Sequence, residues 1–171
     1  GALVALLVPL GFSLHPLAGL LLMLISGSAD ALDGQLAREG DDAPASHWGA
    51  FLDSSLDRLS DGCYLLGFWL LFWQADMALT GALFLWPALV ATLMISYVKA
   101  RGEALGSNCP VGFMERAARI VLLCCWALSL ALLPGARQVL LIGGALLYLG
   151  LTTATVAQRI RYIGRRLTAA P

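Results

Sequence analysis

The sequence predicts an all-α, polytopic membrane protein of six transmembrane helices, the first of them shortened. Three observations carry that prediction. The chain of 171 residues is 59% hydrophobic and only 13% charged, whereas charged residues ordinarily make up about a quarter of a globular chain. Apolar runs recur at close to the about 20 residues that a helix needs to cross ~30 Å of hydrocarbon. The basic residues gather at one end of those runs, as a membrane orientation requires.

The first run, residues 1–12, is closed by Ser13, Leu14, His15 and Pro16. No charged segment precedes it, so it does not read as a signal peptide. The chain opens within apolar sequence, and further sequence is expected upstream. The second run covers 17–38 and leads into a polar loop at 39–44. The third covers 48–73 and ends near Gln74, Ala75 and Asp76; the fourth, 79–99, contains Pro87. The fifth, 116–133, stops at Pro134 and Gly135, and the sixth, 139–162, is followed by a basic tail. With no repeat or separate soluble segment, residues 1–171 read as one domain.

Six spans with short connections put the ends of spans two, four and six on the same side. Arg38, Arg58, Lys99, Arg101, Arg116, Arg119, Arg159, Arg161, Arg165 and Arg166 fall on that side, and only Arg137 on the other. By the positive-inside rule the basic side is cytoplasmic. Apart from Asp76, the acids collect there too. The formal net charge is zero, so nothing points to a nucleic-acid partner. Cys63, Cys109, Cys124 and Cys125 have no CxxC or Cys/His metal spacing and read as small hydrophobes.

Four aspartates stand out. Asp30 and Asp33 lie near the end of span two, and Asp53 and Asp57 early in span three. Separations of three and four residues put each pair on one helix face. The two spans are adjacent in sequence and antiparallel, so the pairs can face each other at similar depth. One ionised Asp at the centre of a span costs ~3 kcal/mol, less near an interface, so four together need a compensating cation. Carboxylates without His or Cys favour a hard ion, Mg²⁺ or Mn²⁺, and two from each helix suffice for two ions. Paired ions of this kind clamp the attacking and leaving oxygens of phosphoryl transfer. A single acid here would read as one that merely caps or snorkels, and Asp61, a turn further on, reads as a polar packing partner.

Small residues accompany the acids: Gly34 beside Asp33, Ala37 a turn on, and Gly49 a turn before Asp53. They leave room for a ligand to approach the backbone, and Arg38 can meet phosphate oxygens. The full pattern is Asp30-x2-Asp33-Gly34-x2-Ala37-Arg38-x10-Gly49-x3-Asp53-x3-Asp57. It resembles the signature of the CDP-alcohol phosphotransferase family, with all eight signature residues present and a gap between Arg38 and Gly49 longer than is usual. The resemblance extends over essentially the whole chain. It implies that an acceptor hydroxyl attacks the β-phosphorus of a CDP-lipid, CDP-diacylglycerol or CDP-archaeol, and that CMP leaves. Asp30, Asp33, Asp53 and Asp57 would hold the metal, with Asp57 also the general base. Asp30, Asp33, Gly34, Ala37, Arg38 and Gly49 would lie along the nucleotide and pyrophosphate. Relatives also imply a homodimer in the plasma membrane of a prokaryote.

A second set of residues addresses the acceptor. Ser96 and Lys99 share a face at the end of span four, Arg116 and Arg119 begin span five, and Arg159 approaches the end of span six. Convergence of these positions beside the acids makes a basic pocket, which favours a phosphate on the acceptor. Glu115 is placed to orient Arg116 or Arg119. The segments Ser96-Tyr97-Val98-Lys99-Ala100-Arg101-x-Glu103 and Gly112-x2-Glu115-Arg116-x2-Arg119 resemble the phosphatidylinositol-phosphate synthase branch. That resemblance implies inositol 1-phosphate held by Lys99, Arg119 and Arg159, with Ser96 assisting. Arg101, Arg161, Arg165 and Arg166 read as anchors to the membrane face.

Two rivals follow from the same residues. Glycerol 3-phosphate as acceptor also calls for a basic pocket, and charge does not separate it from inositol 1-phosphate. An ion or proton transporter would carry its acids near the midplane with a path to the far side, whereas these acids cluster at one end.

Overall fold

A computed structural model describes residues 1–39 and 47–169, the side chains of Ala31, of residues 33–39 and of Ala169 excepted. Among the described residues all regular structure is helical. Two short helices, α1 (Ala2–Ala5) and α2 (Val8–Leu14), make up the first apolar run. The chain kinks between them because Pro9 lacks an N–H and its ring crowds the carbonyl of Ala5. His15 is extended, as the residue before a proline must be. Its Nδ1 accepts from the Leu17 N–H at 3.2 Å, and Pro16 opens α3 (Pro16–Glu39).

The remaining helices are α4 (His47–Trp73), α5 (Ala78–Ala104), α6 (Arg116–Leu132) and α7 (Arg137–Ala169). Helix α4 ends where Asp76 takes a left-handed conformation at φ 56°, and the Met77 N–H donates back to the Phe72 carbonyl at 2.9 Å. Gly106 ends α5 in the same way at φ 81°. A one-turn 3₁₀ segment, Pro134–Ala136, joins α6 to α7. The predicted basic tail is not separate from the sixth run: α7 continues helical through Ala169. Only Gly164 interrupts a run of good helix formers there.

The helices close into a ring, α2–α4–α5–α7–α6–α3 and back to α2. Helices α3 and α4, expected as direct neighbours, touch little, because α1 and α2 wedge between them. Phe12 of α2 is the wedge. A Cβ on Gly19 of α3 or on Gly67 of α4 would stand within 2.3 Å and 2.4 Å of its ring, so both flanks must be glycine for the aromatic to fit. The Phe12 ring lies 4.9 Å from Phe68 of α4, which stacks at 4.1 Å on Trp126 of α6. This aromatic row crosses the centre of the ring. The most extensive pairing is α5 with α7, where buried small residues let the backbones approach and Thr92 and Tyr148 hydroxyls meet at 3.0 Å.

The outer surface is apolar. Leu3, Leu79, Leu83, Trp86 and Val139 are each more than three-fifths exposed, a distribution suited to hydrocarbon rather than to water. Helix α5 and the stretch Pro134–Thr168 are long and apolar enough to cross a membrane. The other apolar stretches fall short for local reasons. Ala2–Leu14 and Pro16–Asp30 are brief, α6 has 17 residues, and the first half of α4 carries Asp53, Asp57, Arg58 and Asp61.

Candidate active site

The polar side chains of the bundle meet at one end, where α3 finishes, α4 begins, α5 finishes and α6 begins. At the opposite end Arg137 donates to Gln74 Oε1 at 2.8 Å, and Gln74 donates to the Ser13 carbonyl at 2.8 Å. This small polar network keeps the far-side base occupied.

At the site end, Tyr64 of α4 donates to Ser26 of α3 at 2.8 Å, tying the two helices together one turn below Asp30. Above that tie, Asp30 and Asp57 face each other, and Arg116 of α6 lies between them. Its Nη2 donates to Asp30 Oδ2, and its Nη1 lies 2.7 Å from Asp57 Oδ1. Asp53 is exposed, one turn before Asp57 on the same face of α4. Gly49 lies a further turn away on that helix. Of the remaining predicted ligands only the backbone is described: α3 carries Asp33, Gly34, Ala37 and Arg38, whose side chains lie outside what the structure describes.

Among the described residues no group of three potential ligands is gathered closely enough to hold an ion. Their chemistry nevertheless fits one. Carboxylates from two helices approach closely enough to share a single cation, and the guanidinium of Arg116 serves as that cation here. Every oxygen offered is hard, which suits Mg²⁺ or Mn²⁺.

Beside Asp57 opens a cavity of about 410 Å³. The four predicted acceptor residues, Ser96, Lys99, Arg119 and Arg159, all line it. Arg116, expected among the converging bases, does so as well, and so do Ser54, Arg58 and Glu103, which had no predicted acceptor role. Arg116 precedes Arg119 by one turn on the same face, which is why the two reach one cavity.

The cavity is less uniformly basic than expected, because most of its bases are paired. Arg119 and Asp61, each only 3% exposed, form a 2.7 Å ion pair, and Arg119 also donates to the Met114 carbonyl at 3.0 Å. Asp61 is thus the packing partner its position suggested. Arg159, equally buried, donates to the carbonyls of Val111 at 2.9 Å and Ile95 at 2.8 Å. Glu115 does not orient Arg116 or Arg119. Its carboxylate lies 3.6 Å from Arg159 instead, because the turn into α6 aims it toward α7.

Gly112 makes the Arg159 anchorage possible. Its φ of 126° suits glycine alone, and a Cβ there would come within 2.6 Å of Arg159 Nε. Lys99 and Arg58 are the exceptions among the bases: both are half-buried on the wall and neither has a carboxylate partner among the described residues, though Arg58 donates to the Ser54 carbonyl.

A carboxylate pair bridged by a cation, opening onto a cavity with an unpaired ammonium, suits phosphate chemistry, and comparison with known proteins decides the family. The model of the CDP-alcohol phosphatidyltransferases matches residues 2–156. The chain belongs to the CDP-alcohol phosphatidyltransferase family. Among curated members it is 37% identical over 168 residues to the archaetidylinositol phosphate synthase of Methanothermobacter thermautotrophicus, covering 98% of this chain and 80% of that protein. It is 40% identical over 95 residues to the phosphatidylinositol phosphate synthase of Mycobacterium tuberculosis, covering 54% of this chain and 42% of that protein. The crystal structure of the M. tuberculosis synthase with CDP-DAG bound superposes with a TM-score of 0.76 at 31% identity, over 95% of this chain and 79% of that one. The same synthase in complex with manganese and citrate also gives 0.76, at 32% identity, over 95% and 76%. Membership makes the chain an enzyme of phosphatidyl transfer.

Proposed function

We propose that this enzyme transfers the phosphatidyl or archaetidyl group of a CDP-lipid to inositol 1-phosphate. The observation that carries the reading is the single cavity joining Asp57 to Ser96, Lys99, Arg119 and Arg159. An acceptor phosphate needs bases at some distance from the reacting hydroxyl, and a carboxylate near it. Lys99 supplies the unpaired charge for the phosphate, and Arg119 and Arg159 stiffen the wall while presenting further N–H groups. Asp57 takes the proton of the acceptor hydroxyl as its oxygen bonds to the β-phosphorus. The pyrophosphate P–O bond breaks, and its electron pair leaves with CMP.

Asp30, Asp33, Asp53 and Asp57 are the proposed metal ligands, for two divalent ions. Bound there, the ions would neutralise charge on the pyrophosphate and leaving group. Gly34, Ala37, Arg38 and Gly49 are proposed to lie along the nucleotide, with Asp30 and Asp33. The apolar exterior and the one-sided bases support a single domain, residues 1–171, with six spans. Its site would face the cytoplasm at a prokaryotic plasma membrane. The archaeal and bacterial relatives support that location, and homodimerisation is proposed by analogy with the family.

The test follows CMP release from membranes containing the enzyme. CDP-diacylglycerol and CDP-archaeol are each offered with inositol 1-phosphate or with glycerol 3-phosphate. Release with inositol 1-phosphate is expected. Release with glycerol 3-phosphate alone would overturn the acceptor assignment and leave the reaction class intact.

A further inference from the structure

The site described above uses only one flank of α7. On another flank runs a groove of about 880 Å³, which shares no lining residue with the acceptor cavity; the carbonyl of Val111 on its wall accepts from Arg159. Its floor is small and apolar at one end, where Ala154 and Ala157 leave α7 bare, with Val111 forming the opposite wall. The other end is basic: Arg161, Arg165 and Arg166 line it and are all exposed. Ala154, Ala157, Arg161 and Arg165 recur at three- and four-residue intervals and form one continuous stripe, with Gln158, Tyr162 and Arg166 recurring every four residues beside it. From Ala154 to Arg166 the two rows extend about 18 Å, close to the ~15 Å depth of one hydrocarbon leaflet.

Two features distinguish this end of α7 from an ordinary charged helix terminus. None of the three arginines pairs with a carboxylate, and no acid lines the groove, among the described residues. Arg166 is also steadied, with its guanidinium carbon 5.3 Å from the centre of the Tyr162 ring. Guanidinium groups bind phosphate oxygens two at a time, and a pair one turn apart presents several such donors to one group. Bases at the mouth and a bare apolar trough beneath match the order of groups in a phospholipid.

We propose that the groove along α7 binds an anionic phospholipid of the surrounding leaflet. Arg161, Arg165 and Arg166 hold its phosphate, and an acyl chain lies against Ala154 and Ala157. The proposal rests on the reading that this end of the bundle lies at the cytoplasmic membrane boundary, and is independent of the acceptor's identity.

The experiment reconstitutes the full chain in equal amounts of phosphatidylglycerol and phosphatidylcholine and counts the lipids retained on release, by native mass spectrometry. The wild type retains phosphatidylglycerol in excess. The triple variant R161Q/R165Q/R166Q loses that excess, since each base near an anionic surface contributes roughly fivefold and three contribute on the order of a hundredfold. A second variant, A154L/A157L, fills the trough and keeps every charge. It too loses the retained phosphatidylglycerol, as diffuse charge attraction alone would not predict. Wild-type retention in either variant overturns the proposal. So does a change from dimer to monomer in the triple variant, which would make the groove an interface between copies.

CMP release in phosphatidylcholine is measured alongside and remains at the wild-type level in both variants, because these residues lie outside the reaction site. A wild type that retains phosphatidylglycerol but releases no CMP would sink the functional reading and leave the lipid site standing.

Discussion

Arg116 of α6 lies 2.7 Å from Asp57 of α4, and the same guanidinium also donates to Asp30 of α3. One side chain thus draws together two helices that scarcely touch. It does so at the end of the bundle where the wedge of α1 and α2 leaves them apart. Without a cation there, the two half-buried carboxylates would face each other unscreened.

Replacing Arg116 with Gln removes that cation. Charge-assisted hydrogen bonds contribute about 2 kcal/mol, which for a chain of this size corresponds to a fall of roughly 4–8 °C in the melting midpoint. The fall is expected in chelator. Added Mn²⁺ restores the variant more than the wild type, because Asp30 and Asp57, freed of the guanidinium, would hold the ion and its charge would replace the one removed. Equal Mn²⁺ effects on the two proteins would mean that Arg116 and the metal do not share the carboxylates.

Asp57→Asn keeps an oxygen to accept from Arg116 but cannot take a proton. Turnover is expected to fall by roughly 10²–10⁴-fold, while the melting midpoint changes little. CMP release and thermal melting, measured on one preparation, check this. Turnover near the wild-type rate would remove Asp57 from the base role.

Lys99 and Arg159 line the same cavity but should behave differently. Lys99 has no carboxylate partner among the described residues, so Lys99→Ala raises the acceptor KM by about 10–100-fold with little effect on stability. Arg159 holds the carbonyls of Val111 and Ile95, and Arg159→Ala therefore lowers the melting midpoint as well. Gly112→Ala, which drives a Cβ toward Arg159, is expected to resemble Arg159→Ala rather than Lys99→Ala. Kinetics with varied inositol 1-phosphate, set beside melting curves, separate the two patterns.

The Asp61–Arg119 pair is nearly inaccessible. Asp61→Asn leaves a buried guanidinium without its counter-charge, at a cost of about 3–5 kcal/mol. The double variant Asp61→Leu with Arg119→Met is expected to recover most of that stability and none of the acceptor affinity. A double variant as unstable as Asp61→Asn would show that shape, not charge balance, makes the pair indispensable.

Much of this molecule is legible along the chain. Spacing alone puts Asp30 with Asp33 and Asp53 with Asp57 on common faces, because 3.6 residues make a turn whatever surrounds the helix. The apolar runs and their one-sided bases come from the same local rules, as do the stops at Pro16 and Pro134. Where local rules misled, the cause is also local. The run of residues after Tyr162 looked like a tail, yet it contains almost nothing to break a helix, and α7 continues through it.

Other features depended on which helix came to lie beside which, and only the tertiary structure decided them. That Phe12 fills the space between α3 and α4 depends on glycines from both sides meeting one ring. That Arg116 reaches Asp30 and Asp57, Arg119 reaches Asp61, and Glu115 turns to Arg159 depends on the order of helices around the ring. A sequence specifies the charge each residue carries and the face it occupies, since both are properties of short range. The partner that neutralises the charge is a matter of long-range packing, and it is settled only when the ring closes.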